Sequence, residues 1–185
     1  MLYFQPIEPL IIPNLSGNQL ARIREIDDED FNLTAMKARR DADEHNVHLS
    51  DSALEQGILG LKQYYAIALL DPENPHAVSP LVDPFWHAHI LHTRQYAGFC
   101  DRVMGCFMHH EPLDPNNVRK VARIRMLYDY TVDIMPKVFC SVDTNGTWPT
   151  RLTDASLICM HFGKSGAYPA VAGDALFPPV LELQS

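Results

Sequence analysis

The chain has few cysteines, no long apolar run and no concentrated positive charge. Four cysteines in 185 residues do not make a disulfide scaffold. The expectation is free thiols in a reducing cytoplasm, packed as small buried apolar side chains. No apolar run reaches 18 residues, which excludes a membrane-spanning helix. The first residues lack a basic segment followed by an apolar core, so no secretory signal is expected. MLYFQ at residues 1–5 instead echoes part of a protease-site tag, with Pro6 behind it. The net charge of −8 argues against nucleic acid or an anionic membrane as partner. The densest basic run, Arg119, Lys120, Arg123 and Arg125, reads as the solvated face of a helix. A glycine-rich phosphate loop, a G-x-S-x-G elbow and a dinucleotide fingerprint are all missing, which leaves those chemistries without a motif. Internal repeats, low-complexity tracts and long alternating strand patterns are missing too.

What is present is ordinary for a globular chain: 46% apolar and 21% charged residues, enough for one domain over residues 1–185. Three prolines punctuate the first 15 residues. Helical periodicity runs from about residue 18 to 136. One helix follows Asp28, Glu29 and Asp30, an acidic first turn that suits the helix dipole. A second is capped by Ser50 or Asp51 and carries Leu54, Ile58, Leu61, Tyr65 and Leu69 at spacings of four and three. Asp83 and Pro84 open a third, as N-cap acceptor and first-turn proline, which runs to about Gly105. Asp114 and Pro115 open a fourth by the same device. Its inward stripe is Val121, Ile124, Tyr128, Thr131 and Met135, and Pro136 stops it. Residues 137–185 read as an extended tail, with one helix near 153–161. The fold class is therefore all-α, a small helical bundle with an irregular C-terminal wrap.

Within this frame one stretch stands out. FWHAHILHTRQYAGFCDRVMGCFMHH, beginning at Phe85, holds His87, His89, His92, His109 and His110, five of the nine histidines. On a regular helix at about 100° per residue, His89 and His92 share an apolar face with Phe85, Trp86, Tyr96 and Cys100. His87 lies about 160° from His89, on the polar side, where it can pair with Asp83 at i, i+4. A turn after Gly105 lets His109 and His110 fold back. Imidazoles converging in an apolar pocket need something to share their polarity, and a divalent metal does so. The expected ligands are His89, His92 and one or both of His109 and His110. His87 serves as a substitute if the first helical turn is distorted. The bland alternative is a hydrogen-bonded structural network. Cys100, about 16 Å from His89 along the axis, is too far to share an ion. The Tyr96 hydroxyl is a catalytic candidate, able to bond a ligand imidazole or a metal-bound water, with core packing as its plain role. His45, His48 and His76 are expected at the surface, and His161 is a further candidate ligand.

At these residues the chain resembles the glycine-rich domain-containing protein-like family. The shared pattern takes in Val82, Asp83, Trp86, His87, His89, Leu91, Thr93, Tyr96, Cys100, Phe107, His109, His110 and Pro112. The resemblance covers residues 82–112, about a sixth of the chain. It implies the histidine-rich element but no reaction. Members often carry Asp where this chain has His92, which implies a ligand role there. The glycine-rich segment of the plant members is absent.

Two functional classes follow. In the first, the chain is a metal-dependent enzyme acting on a small molecule through histidine-ligated iron or zinc, with an open coordination position. Oxygen-dependent, oxidoreductase chemistry is favoured over hydrolysis, because apolar and aromatic surroundings suit dioxygen. In the second, the metal site is closed and structural and a helix face binds a protein partner. If the helix is regular through Trp86, His89→Ala should lower bound metal more than His87→Ala does.

Overall fold

The computed structural model describes residues 2–110, 113–114, 116–150, 152 and 175–184. The expected helix at 153–161, with His161, lies outside the described residues, as does Pro112. A short 3-10 turn, Glu8–Leu10, precedes the helices α1 (Gly17–Asp28), α2 (Asn32–Glu44), α3 (Asp51–Leu70), α4 (Asp83–Leu91), α5 (Thr93–Val103), α6 (Val118–Val138) and α7 (Leu181–Gln184). No strand occurs among the described residues. The molecule is an all-helical small bundle, and no described helix is long and apolar enough to cross a membrane.

Helix α3 is the axis of the bundle. Ser50 caps it, its hydroxyl accepting from the Ala53 amide at 3.1 Å. Past its first turn it is buried almost all round, not along one stripe. Helices α1, α2, α4 and α6 pack against it, and α5 lies against α1 and α4. Two glycines set how closely α4 approaches. A Cβ on Gly57 would sit 2.1 Å from the Phe85 ring, and one on Gly60 would sit 2.7 Å from Val82 Cγ2. Phe85 and Val82 flank Asp83, so the glycine pair brings the first turn of α4 onto the α3 backbone.

The N-terminal segment is held by a buried ion pair. Lys62, 1% exposed, reaches Asp27 Oδ1 at 3.1 Å, and Asp27 also accepts from the Ile7 and Glu8 amides. An antiparallel bridge joins Ile11 to Phe139. At the other end of α3, Asn74 accepts from the Val180 amide and donates to Pro178 O, so residues 175–184 fold back against the bundle.

Four expectations need correction. First, residues 83–104 form two helices, not one. The His92 N–H bonds His89 O at 3.0 Å, while the His92 Nδ1 donates to Ala88 O at 2.8 Å. The side chain thus takes the carbonyl that the backbone N–H would use, and the helix stops at ψ 59°. Second, the fourth helix starts at Val118, where Asn117 caps the Lys120 amide; Asp114 closes a turn on Asn116 instead. Third, Pro136 lies inside that helix, which ends two residues later at Val138. Pro136 has no N–H to give the carbonyl one turn back, and the helix continues only to Val138. Fourth, His76 is buried, at 3% exposure. Its Nε2 lies 3.1 Å from Asp71 Oδ2, and Asp71 also accepts from Tyr130 at 2.7 Å; short-range polarity had not shown that a loop histidine would be enclosed by α6. His45 and His48 are exposed as expected. Cys100, Cys106 and Cys140 are free thiols; Cys100 is buried, but Cys140 is exposed just beyond α6.

Candidate metal centre

The structure draws together three donors from two places in the chain. Asp83 and His87 sit one turn apart on α4, so they share a face. Asp83 is the first residue of the helix; Val82 holds the cap position, and no side chain caps the first turn. Asp83 therefore stands at the first helical position and not at the cap, where the sequence had placed it. Its side chain is 2% exposed, and the helix N-terminus favours its negative charge. His87 Nε2 lies 3.5 Å from Asp83 Oδ2.

His110 arrives from the connector after α5. Gly105, at φ 73°, turns the chain in the left-handed conformation that glycine adopts without strain. Met108 then packs into the core at 0% exposure. Its carbonyl accepts from the Tyr96 hydroxyl at 2.6 Å, and that hydroxyl accepts from Trp86 Nε1 at 3.0 Å. The Trp86 ring also meets the His110 ring edge-on at 5.0 Å. These contacts hold His110 over the start of α4. Its Nε2 lies 3.3 Å from Asp83 Oδ1 and 2.5 Å from His87 Nε2.

Asp83, His87 and His110 thus offer one oxygen and two nitrogens, all within 4.8 Å of one another. The donor set fits a divalent ion. His87 faces Asp83 Oδ2 at 3.5 Å and His110 faces Oδ1 at 3.3 Å, so the carboxylate meets one imidazole with each oxygen, and oxygen and imidazole nitrogen are both donors that zinc or iron takes. The two imidazole nitrogens, 2.5 Å apart, would have to part to bind one ion. Asp83 is buried, His110 is 13% exposed and His87 is 43% exposed, so the group opens on the His87 side. There it borders a pocket of about 560 Å³ between α2, the chain leading to α3, and the start of α4.

The other expected ligands lie elsewhere. His89 is fully buried inside Phe31, Tyr65, Tyr96 and Phe99, with ring centroids 5.1–5.8 Å away. Its Nδ1 shares a 2.9 Å hydrogen bond with the Tyr65 hydroxyl. Burial, helped by neighbouring His92, pushes its pKa down to about 3. Glu29 lies 4.0 Å from the His89 Nε2, and Arg102 engages its carboxylate at 2.6 Å. His92 is committed to Ala88 O. His109 is exposed, its ring against Phe107 at 4.9 Å. Tyr96 is buried with its hydroxyl used between Trp86 and Met108; it positions the connector. Asp83 is the donor that sequence reasoning did not count as a ligand. The signal was its i, i+4 spacing to His87, which had been read as a helix lock.

Residues 21–131 match the family described as UCP032817-like. The match covers more than half of the chain, which belongs to that family. This corrects the resemblance to the glycine-rich domain-containing protein-like family: a histidine-rich stretch of about 30 residues carried that reading, whereas the match extends from α1 into α6. No curated protein and no solved structure matches the chain.

Proposed function

We propose that this UCP032817-like protein is a metal-dependent enzyme acting on a small molecule, with Asp83, His87 and His110 holding iron(II) or zinc. The convergence of these three donors beside an open pocket carries the reading. Two imidazoles and one carboxylate suit both ions: the same set serves hydrolytic zinc sites and non-haem iron oxygenases. A metal held here supplies a Lewis acid and an activated water or oxygen. The chain's own residues do the rest. Asp83 contributes the charge that offsets the ion. Trp86, Tyr96 and Met108 fix the His110 backbone, and buried Phe85 lines the pocket beside Asp83.

The half-exposed His87 and the pocket favour an open, catalytic site over a closed structural one. Among the described residues the donor group has three members, and an open site of this kind would take water and substrate at its remaining positions. Oxidative chemistry remains the preferred reaction class because the adjoining pocket is largely apolar. The test is metal analysis of untagged protein with circular dichroism before and after chelation. About one metal per chain, removable with helicity retained, supports the proposal; loss of fold on chelation favours the structural site and a protein partner.

A further inference from the structure

The pocket beside Asp83 and His87 has a composition that selects among substrates. Its apolar lining includes Ala38, Ala42, Val47, Leu49, Leu81 and Phe85. Phe85 is buried, whereas Val47 and Leu81 are 53% and 54% exposed. An apolar molecule entering here would cover surface that is otherwise wet. The polar groups are few. Asp83 and His87 stand at the metal end. Asp41 and His45 stand on the α2 side, where Asp41 pairs with Lys37 one turn earlier and the His45 Nδ1 donates to Asp41 O at 2.8 Å. Neither lysine nor arginine lines the pocket among the described residues.

Charge then limits the ligand. A divalent ion with one carboxylate and two neutral imidazoles leaves a single net positive charge at one end of the pocket. One negative head group balances it. A second would meet only the Asp41–Lys37 pair, whose charges already match, and would be desolvated without a partner of its own. We infer that the substrate is a small monoanion, a carboxylate on an aryl or alkyl body, bound with its oxygens toward the metal and its body against Leu49, Leu81 and Phe85. Phosphorylated and dicarboxylic compounds are excluded by the same balance. This inference rests on the metal reading above.

The experiment uses full-length protein loaded with zinc for calorimetry and with cobalt(II) for visible spectroscopy. The probes are 3-phenylpropanoate, succinate and phenyl phosphate. 3-Phenylpropanoate should bind the loaded protein at least about tenfold more tightly than either dianion, a ratio worth about 1.4 kcal/mol: succinate lacks the phenyl body, and phenyl phosphate brings a second charge that the pocket lining does not balance. It should shift the cobalt spectrum and bind metal-free protein at least about tenfold more weakly. Leu81→Glu, a change at an exposed position, should keep the metal and lose most of the binding. Stoichiometric metal with no 3-phenylpropanoate binding, or with equal binding of succinate, overturns the inference and leaves the metal site standing. Failure to bind metal removes the metal reading and this inference together.

Discussion

Asp83 Oδ1 lies 3.3 Å from His110 Nε2, although 27 residues separate them in the chain. The contact joins the first turn of α4 to the connector beyond α5. It makes a buried carboxylate the partner of an imidazole that the sequence alone had folded back toward His89 and His92.

Metal content should follow this geometry. Asp83→Asn, His87→Gln and His110→Gln should each lower bound zinc or iron at least about tenfold, as loss of a ligand does more than loss of a supporting contact. His109→Ala should leave it unchanged. His87→Ala should cost more metal than His89→Ala, the reverse of the order expected from a regular helix. Elemental analysis after dialysis reads the result, and equal retention by Asp83→Asn and the wild type would remove Asp83 from the site.

Gly57→Ala should destabilise the protein despite the better helix propensity of alanine. The propensity gain is about 1 kcal/mol. The new methyl would lie 2.1–2.6 Å from three atoms of the Phe85 ring, in a core where overpacking costs about 1–3 kcal/mol and sometimes more. The clash wins, and α4 must shift. Urea unfolding should show a net loss of up to about 2 kcal/mol, with weaker metal binding because Asp83 moves with Phe85.

Tyr96→Phe tests the positioning of His110. It removes a buried hydroxyl that bonds both Trp86 Nε1 and Met108 O, leaving both without that partner at a cost of about 1–3 kcal/mol. Metal affinity should fall while the ligand set stays the same. A cobalt(II) spectrum of unchanged shape at higher metal concentration would show this. Abolished turnover with unaltered metal affinity would instead return Tyr96 to a direct catalytic role.

The metal-free protein should lose stability in acid partly through His89. The fold holds this imidazole neutral down to about pH 3, against an ordinary value of 6.5. The unfolded chain therefore binds a proton that the folded chain refuses. Stability from this group is complete above pH 6.5 and is lost as pH falls toward 3, at up to about 1.4 kcal/mol per pH unit. Chemical unfolding at pH 7, 6 and 5 should show a shallower decline for His89→Gln than for the wild type. Identical slopes would mean that His89 charges within the fold.

The sequence by itself determined the helical class, the cap at Ser50, the apolar face of Trp86 and His89, and the return of the chain after Gly105. Each of these is local: periodicity fixes which side chains share a face, and capping or positive φ fixes where a helix turns. The same logic placed Asp83 one turn before His87. Only the tertiary structure decided which imidazoles meet. The His92 side chain ends a helix by bonding the Ala88 carbonyl, which a wheel drawn at constant pitch does not contain. His89 turns into an aromatic enclosure built from α2, α3 and α5. His110 reaches Asp83 because Gly57 and Gly60 let α4 press onto α3 and because Tyr96 ties Met108 beside Trp86. The pocket exists because α2 stands across from α4. Donor atoms converge through packing between elements distant in the chain, and residue spacing within any one element carries no information about that distance.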